Sequence, residues 1–288
     1  MVAIPNPGLW RIIFVGLLPA VVVALSMFVG HNIFIAMFVM HWSSMIPVPL
    51  ALTYFIHGKA EIRWYIEYVK QQKFLSDWRI CLMLLTVGTL VPVLGYMADS
   101  CKTAQWHFCV GAVDDNLAQY GFKDAPKALI IACAVYFPIV NPIIEELFWR
   151  VYMDREYTFS ACLATREGAE DESLHLMENG ASMDNNSDTI LPTKSTKSNE
   201  IPLYVKLIFS SLYSSYHTMV VGVFLGGVQY GILAFFGIGA LGLLFQYIFS
   251  VSDNRSGFGR AVCFHVGIDA GVVIALGDAV GWYSILPS

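Results

Sequence analysis

The chain has 288 residues, 56% of them hydrophobic and 14% charged, with mean hydropathy +0.59 and formal net charge −5. An ordinary soluble domain carries about 25% charged residues, so a water-soluble globular fold is excluded. With no basic patch and no CxxC pair, nothing marks a nucleic-acid partner.

Several apolar runs approach the ~20 residues that cross a bilayer. The expected fold class is all-α, a polytopic transmembrane helical bundle. Seven spans are placed at about 9–29, 33–56, 79–98, 128–150, 203–223, 228–250 and 260–282. Residues 220–236 are continuously apolar, so the boundary between spans 5 and 6 is ill defined and an eighth span is the alternative. Span 1 is too long for a signal peptide and lacks a clear small-residue cleavage site. Pro47 and Pro49 are expected to kink span 2, and Pro138 and Pro142 to bend span 4. Between spans 2 and 3, residues 60–78 interleave Ile62, Trp64, Tyr65, Tyr68 and Phe74 with Arg63, Glu67, Lys70 and Lys73. That pattern predicts an amphipathic helix lying in the membrane interface, a solvated connector being the plainer reading.

Residues 154–200 are polar, acidic and poor in groups that form a core, and they read as a disordered insertion. The chain thus divides at 1–126 (N-terminal spans, interfacial helix and outer loop) and 127–282 (a core carrying that insertion). With seven spans, fourteen of the seventeen Lys and Arg residues fall on the side of the N-terminus and of the 154–200 loop. Only Lys102, Lys123 and Lys127 fall opposite. The positive-inside rule then places the N-terminus in the cytoplasm. The sequons at Asn185 and Asn254 are expected on that same side, unmodified. Cys101 and Cys109 lie in the outer loop, where they either pair in an oxidising compartment or stand as two unrelated thiols.

The chemistry concentrates in three places. Glu145 and Glu146 end the apolar part of span 4, and charge at bilayer depth costs about 2.5–3.5 kcal/mol on insertion scales. Arg150 follows Glu146 by four residues, on the same helix face. Span 5 holds Tyr213 and His217, also four apart, and span 7 holds His265 and Asp269 with the same spacing. Ionisable groups in a membrane pair with one another. A carboxylate beside a histidine can take a proton from water, and a histidine held by an acid can donate to an oxygen gaining charge. Taken singly, Glu146–Arg150 reads equally as a structural ion pair, and His217 as a helix contact. His31, His41, His57, His107 and His175 sit at span ends or in loops and are assigned no role in the site. Depth is a difficulty. Counted from Lys206, His217 lies ~16 Å into the membrane, whereas Glu145 lies only ~8 Å from the Arg150 end.

The three motifs in this order resemble the CPBP family of intramembrane proteases, which includes the Ras-converting CAAX endopeptidase and bacteriocin-processing relatives. The family pattern is EExxxR, FxxxH and HxxxN or HxxxD. Glu145, Glu146 and Arg150 match the first motif, and His265 and Asp269 the last. The middle motif has His217 but Tyr213 where the family has phenylalanine. The resemblance covers about residues 127–282. It implies an endopeptidase that cuts a prenylated or membrane-associated protein in the bilayer, in the endoplasmic reticulum of a eukaryote or the plasma membrane of a bacterium. Glu145 would be the base activating water, His217 would help hold that water, His265 and Asp269 would stabilise the oxyanion, and Glu146 and Arg150 would shape the site. No cofactor or metal is implied. Glutamate and two histidines are valid zinc ligands, but the HExxH arrangement is missing. A non-proteolytic relative acting as membrane scaffold or chaperone is the alternative function. A proton-coupled carrier fits less well, because no internal repeat is visible.

Overall fold

The computed structural model describes residues 7–72, 78–100, 110–122, 124–161, 201–225, 227–251 and 256–279. Among them there is no strand, and seven helices are long and apolar enough to cross a membrane. The cysteine pair of the outer loop, both sequons and residues 162–200 lie outside the described residues.

Helix α1 (Pro7–Ala24) runs on through a π-helical turn, Leu25–Val29. A short loop reverses the chain. In it Asn32 caps α2 (Ile33–Val39), its side-chain oxygen accepting from the Ile35 N–H at 3.0 Å. The second span is broken where its prolines lead one to look. A π-helical turn at Met40–Met45 ends just ahead of Pro47, which opens α3 (Pro47–His57). Proline suits a first turn because its missing N–H would be unpaired there anyway. Gly58, at φ 82, turns the chain into α4 (Lys59–Gln71).

No residue of α4 is buried. The helix is nonetheless pinned to the bundle. Arg155 donates to both carboxylate oxygens of Glu61, at 2.6 and 3.2 Å, with its guanidinium 4.2 Å over the Trp64 ring. Tyr65 meets Tyr152, and Tyr68 meets Phe258.

The remaining helices are α5 (Trp78–Ser100), α6 (Val110–Gln119), α7 (Lys127–Glu146), α8 (Leu203–Phe224), α9 (Val228–Ser250) and α10 (Gly257–Ala279). Helices α8 and α9 form an antiparallel hairpin, the first ending at Phe224 and the second starting at Val228, and seven spans result among the described residues. Helix α1 packs on α8, and α10 on α5 and α7. Helices α5 and α10 approach most closely at glycines. A methyl group at Gly267 would stand 2.3 Å from the Leu85 carbonyl oxygen, and one at Gly271 2.5 Å from that of Thr89. Small residues allow such contact between membrane helices, where dispersion and not water exclusion drives association. The core centres on Ile12, Met27, Trp149, Phe209, Tyr213 and Phe245, while Leu82, Met83, Val91 and Leu94 point outward from α5 as lipid-facing groups.

One boundary differs from expectation. Span 4 does not end near residue 150. It continues through a π-helical turn (Leu147–Tyr152) to Ala161, so residues 154–161 are helix and not part of a disordered insertion. Packing overrides their polar composition, because the polar groups find partners inside the protein. Glu156 is buried and accepts from Arg11 of α1 and from His57 of α3, the latter at 2.8 Å. Asp154 accepts from Gln246 of α9 at 3.3 Å.

Candidate active site

The longer span also resolves the depth mismatch. Glu145 lies sixteen residues from the end at Ala161, or ~24 Å at 1.5 Å per residue, and His217 lies fourteen from Leu203, or ~21 Å. The carboxylate and the histidine reach one level, near mid-depth of the bundle.

Helix α7 carries Glu145 and Glu146 past Pro138 and Pro142, both of which it accommodates in its interior. Both acids are buried, at 1% and 0% exposure. From α10, His265 enters between them. Its Nδ1–H donates to Glu146 Oε1 at 2.9 Å, and its Nε2 stands 3.6 Å from Glu145 Oε2. One turn on, Asp269 Oδ1 is 3.7 Å from the same Nε2, while its Oδ2 accepts from Asn141 Nδ2 at 2.8 Å.

Glu146 is shared with Arg150, whose Nε lies 3.4 Å from Oε2. The guanidinium lies over two rings set nearly at right angles to each other, 5.1 Å from the Tyr213 centroid and 5.4 Å from that of Phe245. A cation desolvated over π faces is held more firmly than one at a surface. Breaking such a buried pair by removing one member costs about 3–5 kcal/mol, since the other charge is left uncompensated.

From α8, His217 donates Nδ1–H to its own helix, to the Tyr213 carbonyl at 2.9 Å. A carbonyl only accepts, so the proton is fixed on Nδ1 and Nε2 is the nitrogen left to meet a ligand. Tyr216 faces Glu145, and the Glu145 Oε2, Tyr216 hydroxyl and Trp149 Nε1 atoms have no hydrogen-bond partner among the described residues. Unpaired buried polar atoms are rare in folded proteins, and a carboxylate oxygen facing an unpaired phenol suits a site that takes a polar guest.

A cavity of about 460 Å³ opens from this cluster. Glu145, His217, His265 and Asp269 line one end, and apolar groups such as Val23, Met27, Phe34 and Phe224 line the rest. It occupies the half of the bundle remote from the Lys- and Arg-rich face. Polar groups at one end of an apolar pocket can fix a reacting bond while the remainder takes a lipid-like chain.

The family model of type II CAAX prenyl endopeptidase Rce1-like proteins matches residues 127–271, half of the chain. The chain belongs to the Rce1-like family. No curated protein and no solved structure matches it. At the level of its family this Rce1-like protein is a CAAX-type intramembrane protease, and its seven apolar helices make it an integral multi-pass membrane protein.

All six expected site residues of the Rce1-like chain converge. Glu145, Glu146, Arg150, His265 and Asp269 form one connected cluster, and His217 joins it through Tyr213 and the shared cavity. Other residues escaped the sequence. Asn141 binds Asp269, and its signal was an amide four residues before Glu145 in an otherwise apolar run. His41, set aside as a span-end residue, is fully buried beside Asn141, its Nδ1 3.0 Å from the Tyr136 hydroxyl. His57, likewise set aside, binds Glu156. Among the described residues no group of three His, Cys, Asp or Glu side chains has the geometry to hold a metal ion.

Proposed function

We propose that the protein hydrolyses a peptide bond of a prenylated or membrane-associated protein with a water activated by Glu145. The observation that carries this reading is the buried Glu145 carboxylate, its Oε2 without a hydrogen-bond partner among the described residues, at the polar end of an apolar cavity and 3.6 Å from His265. Water bound between Glu145 and His217 Nε2 gives a proton to Glu145 as its oxygen attacks the carbonyl carbon. The electron pair of the C=O bond moves to oxygen, which accepts from the Nε2–H of His265, doubly protonated as an imidazolium and supported by Glu146 and Asp269. When the intermediate collapses, the C–N bond breaks and the leaving amine takes the proton from Glu145. Glu146 and Arg150 keep His265 in register. The apolar remainder of the cavity receives the lipid chain, which extends away from the basic face. That face lies in the cytoplasm, as the positive-inside rule directs.

The test is cleavage of a farnesylated CAAX peptide by the purified protein in detergent, beside Glu145→Gln and a chelator control. Cleavage by the wild type that Glu145→Gln abolishes and the chelator spares is expected. A folded wild-type protein that cuts neither this peptide nor any protein trapped by Glu145→Gln would move the function to a non-proteolytic scaffold. Orientation is read separately, from labelling of single cysteines placed at Lys59 and Lys127 by an impermeant thiol reagent.

A further inference from the structure

Three oxygens surround His265 Nε2: the Tyr213 hydroxyl at 3.4 Å, Glu145 Oε2 at 3.6 Å and Asp269 Oδ1 at 3.7 Å. All three distances exceed the 2.7–3.2 Å of a settled N–H···O bond. All four residues line the cavity, so a guest oxygen has access to this point. An oxygen that gains negative charge there needs donors. His265 supplies one. Ionised Asp269 supplies none, because a carboxylate only accepts, and its Oδ2 is already taken by Asn141. Glu145 is an acceptor for the same reason.

Tyr213 fills the gap. A phenol both accepts and donates. Among the described residues its hydroxyl meets His265 and no second partner, which leaves its proton for the cavity. The ring is immobilised on every side. Trp149 stands edge-on at 5.9 Å, Phe245 edge-on at 6.3 Å and the Arg150 guanidinium 5.1 Å over its face. A donor held in place before charge develops needs no reorganisation when it does.

We propose that the Tyr213 hydroxyl is a catalytic donor which, together with His265 Nε2–H, holds the carbonyl oxygen of the scissile bond and stabilises it as it becomes an alkoxide. This rests on the peptidase reading above. Both donated protons stay on their donors. The proton that moves is that of the attacking water, to Glu145 and then to the leaving amine.

Tyr213→Phe tests the role, because it keeps the ring and its contacts and removes one oxygen. With the farnesylated peptide, kcat is expected to fall on the order of 10²–10³-fold, the range for losing one such donor, with KM within about threefold. A second readout separates chemistry from architecture. A peptidyl trifluoromethyl ketone, whose adduct carries a tetrahedral oxygen, should bind Tyr213→Phe at least about tenfold more weakly than wild type. A reduced-amide analogue, which has no carbonyl, should bind both alike. Cleavage by Tyr213→Phe within about twofold of wild type overturns the proposal, as does equal weakening of the two ligands, which would mark a purely structural residue. Should the phenylalanine variant not fold, 3,5-difluorotyrosine at position 213 keeps the hydroxyl and makes it more acidic. The alkaline limb of the rate profile should then shift to lower pH, and an unchanged profile overturns the proposal. Wild-type protein that neither cleaves nor distinguishes the two ligands refutes the peptidase reading itself, a different result from wild-type cleavage that Tyr213→Phe retains.

Discussion

Gly267→Ala is the sharpest probe of how the site is held. The added methyl would stand 2.3 Å from the Leu85 carbonyl oxygen and 3.0 Å from two further backbone atoms, whereas ordinary contact begins at 3.4 Å. Backbone cannot swing aside as a side chain can, so α5 and α10 must part by about 1 Å. Position 267 is two residues from His265 and two from Asp269, and the displacement passes to both. A 1 Å misplacement of reacting groups can lower a rate about 10²-fold. Overpacking of this kind also costs about 1–3 kcal/mol of stability. The assay is single-turnover cleavage at saturating enzyme, with a thermal melt in the same detergent. Gly95→Ala is the control on the same pair of helices, since a methyl there meets nothing within 4 Å. Near wild-type cleavage by Gly267→Ala, or equal loss in Gly95→Ala, would refute the claim that helix proximity sets the position of His265.

Other consequences are as direct. Arg150→Met leaves Glu146 buried without its cation and should lower stability by about 3–5 kcal/mol, while the double variant with Glu146→Gln should recover part of it. A double-mutant cycle of chemical or thermal unfolding measures both. Arg150→Lys should also melt early, because a compact ammonium cannot cover both the Tyr213 and Phe245 rings as the broad guanidinium does. Glu156→Gln weakens the ties to Arg11 and His57 and should cost about 1–3 kcal/mol in a thermal melt, with cleavage retained at low temperature. Gly58→Ala forces an L side chain to φ 82, ψ −178 at the α3–α4 junction and should cost about 1–3 kcal/mol in a thermal melt, although the added methyl has open space around it.

The bundle was legible in the sequence because a membrane helix must satisfy its backbone within itself, which makes each span a long apolar run. The polar cluster was legible because Glu145, Glu146, His217, His265 and Asp269 are costly in such runs. Residues 154–161 were not. Asp154, Arg155 and Glu156 look like the start of a loop until Gln246, Glu61, Arg11 and His57 are brought to them from four other helices. The spacing held a clue, since Asp154 follows Arg150 by four residues as Arg150 follows Glu146. His41 shows the same limit. A polar residue at a span end has no sign in sequence that tells whether it meets headgroups or another helix.

The cavity draws its walls from two sources. Glu145, His217, His265 and Asp269 belong to the stretch that fits the family model, while Val23, Met27 and Phe34 come from helices that precede it. On the proposed function, a substitution at Val23 or Phe34 alters the room for a tail without touching any group assigned to proton transfer. Reactivity and choice of lipid can therefore drift on separate schedules, and relatives that share every motif of the cluster need not share a substrate.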